Sequence, residues 1–165
     1  MHDDRMSDRD VQKGFPRPLA WLAARKWGRG LAVGVFTPLD KLVYRVTRGR
    51  RGLSPPDSVL LLTTTGRKSG QPRQVPVLDL RDGDRYWVMG SSYGRPHHPA
   101  WSSNLLAEPT ASVHVHGRRV EVRARLATDD ERQELWPRLL KLYPTWETYA
   151  TWTDRDFRLF CLEPR

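Results

Sequence analysis

The sequence contains one cysteine, Cys161, in 165 residues. No internal disulfide can form, and that usage fits a reducing compartment. Long apolar runs are also missing. The longest charge-free stretch in the N-terminal region, GLAVGVFTPL (30–39), has ten residues and includes Pro38, too short to cross a bilayer. The opening MHDDRMSDRD is charged and leads into no apolar segment of a secretory signal. The expectation is therefore a cytoplasmic protein. There is no CxxC, no HExxH and no Walker loop, which removes the sequence signals for a zinc site, a zinc protease and a P-loop NTPase, and Ser91-Ser92 lacks the setting of a serine-hydrolase elbow. Acidic residues are scarce where basic ones crowd. Residues 17–51 hold nine Lys and Arg against Asp40 alone, so this stretch carries +8 of a net +9. Such a segment can face nucleic acid, the inner face of a membrane or an acidic ligand, or it can be a solvated surface.

The residues that are present build one core: 38% are hydrophobic, and seven are Trp. Residues 1–16 are polar without periodicity and read as disordered. Residues 17–52 read as a basic helical segment in two pieces, PLAWLAARKW and TPLDKLVYRV, the second with Pro38 at its first helical position. In the first piece Trp21 lies near Arg25 and Lys26, a mixture that suits a membrane surface as well as an ordinary packed helix. Residues 53–165 form the remaining domain, entered through the proline-rich linker RGRRGLSPPD (48–57).

From Ser58 the pattern is β. SVLLLTTT (58–65) is a continuous apolar strand, and QVPVLDL (74–80) is a second, with Pro76 marking an edge or a bulge. Asp82-Gly83 predicts a hairpin turn before the third strand, YWVMG (86–90). In ASVHVHGRRVEVRARL (111–126), Val113 and Val115 alternate with His114 and His116. After a turn at Gly117, Val120, Val122 and Ala124 alternate with charged residues, giving one buried and one wet face. FRLFCLEP (157–164) is the last strand. Helices are expected in PAWSSNLLAE from Pro99, in TDDERQELWPRLLKLY behind a Thr128–Glu131 capping box, and in TWETYATW from Thr145. About six short antiparallel strands with few helices predict a small barrel flanked by helices, mainly β within the α+β class.

The chemistry concentrates in the turn TTTGRKSGQPR (63–73), where Arg67, Lys68 and Arg73 meet no acidic residue. A Walker loop places Lys directly after its second Gly and then opens a helix; here Lys68 precedes Gly70 and a strand follows. The expectation is a nest of backbone N–H groups near Gly66 and Gly70. Arg67 and Arg73 would fork onto phosphate or carboxylate oxygens, and Lys68 would add a point charge. A solvated hairpin is the bland alternative. The adjacent His97 and His98 diverge, and His114 and His116 share a strand face without a third ligand, so no metal site is expected. Cys161 reads as a packed thiol. Tyr143, Trp146 and Tyr149 recur three apart, which makes either a wall for a flat ligand or a core stripe.

Four segments meet in one order: LLLTTTGRKSGQPR, RDGDRYWVMGSS, HPAWSSNLLAEP and ERQELWPRLLKLYPTWETYATWTDR. Together they resemble the deazaflavin (F420)-dependent nitroreductase and quinone reductase family over about residues 36–164. The resemblance implies a split β-barrel of the flavin-reductase type. It also implies reduced coenzyme F420 as hydride donor to a quinone, a nitro compound or an activated alkene. By the same resemblance Arg67, Lys68, Ser69 and Arg73 hold the cofactor's phosphate and oligoglutamate tail. Gln74, Val75, Pro76, Val77 and Leu78 line the deazaflavin, and Met89, Gly90, Ser91 and Ser92 continue that wall. Ala100, Trp101, Ser102, Ser103 and Asn104 close the site. Tyr143, Trp146 and Tyr149 stand over the ring where the acceptor enters, with Trp146 also touching the cofactor and Tyr149 or Ser91 stabilising charge on the acceptor. Two departures stand out: Ser91-Ser92-Tyr93-Gly94 replaces a frequent Ser-Lys-Gly-Gly, and Trp146 replaces a frequent Tyr. The competing readings are an FMN-binding barrel of the same kind and a basic nucleic-acid- or membrane-surface module without catalysis.

Overall fold

The structure, a computed structural model, describes residues 59–165. The expected disordered 1–16, the basic helical segment 17–52, the linker up to residue 57 and Ser58 of the expected first strand lie outside the described residues. Six strands alternate with three helices: β1 (Val59–Thr65), β2 (Pro72–Asp82), β3 (Arg85–Gly90), α1 (Ala100–Ala107), β4 (Thr110–Val115), β5 (Arg118–Leu126), α2 (Asp129–Leu142), α3 (Thr145–Ala150) and β6 (Arg158–Pro164). All pairings are antiparallel and close a barrel in the order β1-β2-β3-β6-β5-β4. The closing contact sets Leu62 opposite Val113, which leaves no open sheet edge at that seam.

Strand alternation sorts the side chains. Leu60, Leu62, Val77, Val88, Val113, Val122, Phe160 and Leu162 fill the barrel interior, and each fully buried apolar side chain contributes about 1.5–3 kcal/mol. Trp101 and Leu105 of α1 join this interior cluster, with the Trp101 ring 5.8 Å from that of Phe160, so α1 plugs one end of the barrel. The outward residues Leu80, Trp87, Met89, Leu159 and Cys161 form a second cluster under α2 and α3. Pro76 pairs with Leu61 of β1, while β3 pairs with β2 only from Asp79 on, so the proline sits where β2 has a single neighbour. The capping box is present: Glu131 N–H donates to Thr128 Oγ1 at 3.2 Å, and Thr128 N–H to Glu131 Oε2 at 2.9 Å.

The end of β4 differs from the sequence expectation in a way that bears on the histidines. β4 ends at Val115, and His116 with φ +49° joins Gly117 with φ +76° in the turn, the two-residue geometry that matches strand twist. His114 and His116 therefore do not share a strand face. Among the described residues no three His, Cys, Asp or Glu side chains gather as a metal site would require. No described helix is long and apolar enough to cross a membrane.

Candidate cofactor site

An open groove of about 960 Å³ lies between the β1–β2 turn and the start of α1. Gly66, Arg67, Lys68, Ser69, Pro72, Arg73, Gln74 and Val75 form one side, and Pro99, Ala100, Trp101 and Asn104 form the other. Two segments about thirty residues apart in sequence, both expected from the sequence, thus meet in one concavity. Arg67, Lys68 and Arg73 are exposed at its rim. Among the described residues none of the three forms an ion pair with a carboxylate. Three uncompensated cations on a small turn repel one another, and an anionic ligand relieves that repulsion.

The backbone of the turn is less available than expected. Gly66 N–H donates to Gln71 C=O at 2.8 Å, and Ser69 and Gly70 N–H both donate to Gly66 C=O at 3.1 and 2.7 Å. Gln71 N–H donates to Ser69 Oγ at 3.3 Å. The N–H groups near Gly66 and Gly70 thus close the turn on itself, and the expected nest does not present them to a ligand. Arg73 is steered by Ser69, whose Oγ accepts from its Nη2 at 3.4 Å. Gly66 has no room for a side chain: a Cβ there meets Ser69 Oγ at 2.7 Å and Gln71 C=O at 3.1 Å.

Asn104 joins the two walls. Its Oδ1 accepts from Arg67 N–H at 3.1 Å, and its Nδ2 donates to the buried Thr64 Oγ1 at 3.0 Å. One amide from α1 therefore holds both the end of β1 and the first cation of the turn, a positioning role beyond the wall position expected for it.

The other expected residues are placed as follows. Of the strand Gln74–Leu78, only Gln74 and Val75 line the groove. Val77 faces the barrel interior, Leu78 packs outside against Val59 and Leu61, and Pro76 is half-buried opposite Leu61. Met89 is buried in the outer cluster. Gly90 is buried beside Pro99, whose Cγ lies 3.5 Å from where a Cβ would stand. Ser91 and Ser92 are half-buried in the loop after β3. Ser102 and Ser103 lie off the groove wall; both hydroxyls accept from Arg158 Nη1, at 3.5 and 3.4 Å, and Ser102 Oγ donates to Pro99 C=O at 3.0 Å. Pro72 and Pro99 line the groove without having been singled out, since nothing local distinguishes a wall proline from a turn proline.

The aromatic trio sits elsewhere. Tyr143, Trp146 and Tyr149 are only 5, 3 and 1% exposed, and none lines the groove. Their rings pack on one another at 5.6 and 6.1 Å, and the Tyr143 and Tyr149 hydroxyls are 3.3 Å apart. Burial holds the Tyr143 phenol above its ordinary range. The expectation that these rings stand over the deazaflavin, with Tyr149 donating to the acceptor, does not follow from this placement; here they are core. Spacing of three residues marks a buried stripe and a ligand wall alike. Cys161 is buried, and desolvation pushes its thiol up to about 11, which fits a packed rather than a reactive sulfur.

Comparisons with known proteins give the family. The family model described as F420H(2)-dependent quinone reductase matches residues 39–164. Rv3178 of Mycobacterium tuberculosis, provisionally named as such a reductase, is 34% identical over 114 residues, which span 69% of this chain and 96% of that protein. The F420H(2)-dependent quinone reductase Rv1261c of the same species is 38% identical over 102 residues, 59% of this chain and 68% of that protein. Among solved structures, the F420-H2 dependent reductase FDR-A superposes with a TM-score of 0.59 at 36% identity, covering 64% of this chain and 94% of its own. A barrel plugged by α1, a cationic turn facing that helix and a match over most of the chain agree: this protein belongs to the F420H(2)-dependent quinone reductase family.

Proposed function

We propose that this chain reduces quinones with the reduced form of coenzyme F420, which it holds in the groove between the β1–β2 turn and α1. The observation that carries the reading is the trio Arg67, Lys68 and Arg73 at the groove rim without carboxylate partners among the described residues. The donor set fits a ligand with several anionic groups. Arg67 and Arg73 offer forked donors to phosphate or carboxylate oxygens, Lys68 a mobile charge, and Ser69 a hydroxyl. Gln74 and Val75 on one side, with Pro99, Ala100 and Trp101 on the other, would flank the flat part of the cofactor.

When bound, the reduced deazaflavin supplies a hydride. The protein's part is to hold the ring and the acceptor in reach of each other and to keep water out. Asn104 and Ser69 preset the cationic turn before the ligand arrives, so less ordering entropy is lost on binding. Ser91, half-buried after β3, is the hydroxyl assigned to charge building on the acceptor oxygen. Nitro compounds and activated alkenes accept a hydride in the same sense and are proposed as further substrates. The +8 of residues 17–51 supports contact with the anionic inner face of a membrane, where lipophilic quinones dissolve; salt-reversible cosedimentation with anionic but not neutral vesicles would test it.

FMN is the rival ligand. It carries one phosphate and makes use of fewer cations than the turn presents. A non-catalytic basic module leaves the groove and its helix wall unexplained. Fluorescence titration with F420 and FMN, followed by turnover of F420H2 with menadione, decides among these. F420 is expected to bind at least about tenfold more tightly, the effect of one additional charge-assisted contact. Equal or tighter FMN binding, or no turnover, refutes the proposal.

A further inference from the structure

The loop after β3 has an unusual backbone. Ser92, Tyr93 and Gly94 have φ of +51°, +55° and +67° in succession, closed by Gly94 N–H to Ser91 C=O and Arg95 N–H to Ser92 C=O, each at 3.1 Å. A left-handed turn with two non-glycine residues is disfavoured by sterics and persists only where its surroundings impose it. At Gly94 the imposition is steric. A Cβ there meets the Tyr149 carbonyl at 2.8 Å and the Trp152 ring at 3.2 Å, so only glycine lets the loop lie against α3.

At the other side of the loop the imposition comes from Arg155, in the segment leading into β6. Its Nε donates to Arg95 C=O at 2.8 Å, its Nη1 to Gly90 C=O at 3.1 Å, and its Nη2 to Ser91 C=O at 2.5 Å. Nη1 also lies 3.3 Å from His98 Nδ1, and the guanidinium stacks over the Phe157 ring at 5.0 Å. Four of the five guanidinium N–H groups are thus directed at one loop, which fixes both its start at Gly90 and its return at His98. His98 precedes Pro99, where the groove wall begins, and Gly90 packs on Pro99.

A guanidinium that donates to His98 Nδ1 requires that nitrogen unprotonated. Burial, with the nearby Arg158 and Arg155 charges, holds His98 below its ordinary range, in agreement with that state. Among the described residues no carboxylate forms an ion pair with Arg155; burial and then Arg158 lower its affinity for protons. The residue is therefore not half of an ion pair. Its fork is used to hold backbone.

We propose that Arg155 is a positioning residue of the cofactor site: it locks the strained Ser91–Arg95 loop and the His98–Pro99 entry to α1 in the geometry that the bound cofactor and acceptor meet. The assignment rests on the cofactor reading of the groove given above. A lysine at this position keeps the charge but offers one point of contact in place of a planar fork.

Two measurements on R155K test this. The first needs no cofactor. Amide hydrogen exchange in R155K is expected to be at least about tenfold faster at Gly94 and Arg95, with amides of β1 and β4 unchanged, because the loop opens locally without global unfolding. The second is F420 affinity. R155K is expected to bind about tenfold more weakly while keeping the wild-type dependence on salt, whereas loss of a direct ligand contact such as Arg73 flattens that dependence. Unchanged exchange at Gly94 and Arg95 overturns the proposal whatever the ligand of the groove. Faster exchange with wild-type F420 affinity overturns it as well, since the loop would then not shape the site. Failure of the wild-type protein to bind F420 refutes the cofactor reading, and with it the role assigned to Arg155, while the exchange result still reports whether Arg155 holds the loop.

Discussion

Asn104 offers the sharpest test of how the groove is built, because its two hydrogen bonds serve different purposes. The Nδ2–Thr64 Oγ1 bond at 3.0 Å is buried: Asn104 is 5% and Thr64 1% exposed. The bond from Arg67 N–H to Oδ1 at 3.1 Å is only partly buried. Asn104→Ala strands the Thr64 hydroxyl away from water and leaves a small void. An unsatisfied buried group costs about 1–3 kcal/mol, so a loss of roughly 2 kcal/mol with the void included is expected. The Arg67 N–H regains water and adds little to that figure, but the turn loses its tie to α1. Ordering a freed residue on binding costs about 1–2 kcal/mol, which translates into an F420 affinity roughly tenfold weaker. Thr64→Val is the control. It strands Asn104 Nδ2 and lowers stability by about 1–3 kcal/mol, yet keeps the Arg67 tie, so affinity stays within about twofold. In the double variant both partners of the buried bond are gone, and the combined stability loss falls short of the sum by about 1 kcal/mol. Denaturant melts and F420 fluorescence titrations on the four proteins read all of these numbers. If Asn104→Ala binds F420 as tightly as wild type, or Thr64→Val weakens it equally, Asn104 does not position the turn and the reasoning fails.

Three further outcomes are expected. Lys68→Ala and Arg73→Ala each weaken F420 binding about ten- to a hundredfold, less at high salt, with melting unchanged because both side chains are exposed; wild-type affinity in both makes the turn a solvated hairpin. Asp79 lies wholly inside the barrel with Arg81 Nε at 3.2 Å, and burial raises its carboxyl from 3.8 to about 6. The native state then holds a proton that the unfolded chain has released between those values, so this group's contribution falls as pH rises through the window, by up to about 3 kcal/mol. Asp79→Asn should gain that amount relative to wild type between pH 4 and 7 in denaturant melts, and a difference that stays flat refutes the buried-charge account. Tyr149→Phe, which breaks the 3.3 Å contact with the Tyr143 hydroxyl, is expected to cost about 1 kcal/mol of stability and to leave turnover with menadione within about threefold. A hundredfold fall in kcat at unchanged stability would return the ring to the acceptor's side.

What could be read from the sequence follows from how far each physical signal reaches along the chain. The strands, the capping box at Thr128 and the glycine turn after β4 are local patterns, and all are present within a residue or two of where periodicity and turn chemistry place them. The crowding of Arg67, Lys68 and Arg73 is equally local, and so is the absence of acid among them. Barrel closure is not: the seam that pairs Leu61 with His114 joins residues more than fifty positions apart, and the strand count suggests a barrel without saying which strands meet at the seam. The nest of N–H groups was misread because its availability depends on which carbonyls the turn folds onto, and Gly66 and Gln71 use theirs internally. The aromatic stripe is buried and off the groove, and the sequence left its role open because a period of three residues reports that a face is apolar, not what covers it.

Asn104 and Arg155 show the same limit from the other side. Asn104 bonds residues 37 and 40 positions away, and Arg155 bonds residues 57 to 65 positions away. No spacing rule links such partners. Yet they decide where the cationic turn and the strained loop stand relative to α1. The cations at the rim account for attraction to an anionic ligand of any kind, a long-range effect that tolerates displacement by an ångström or more. Hydride transfer does not tolerate that displacement, because rate depends on the distance and alignment of the reacting atoms. The consequence for substitutions in this barrel is a division by reach. Changes at Arg67, Lys68 or Arg73 should weaken capture of the cofactor and respond to salt. Changes at Asn104 or Arg155, which shift the walls rather than remove a ligand contact, should persist at high salt.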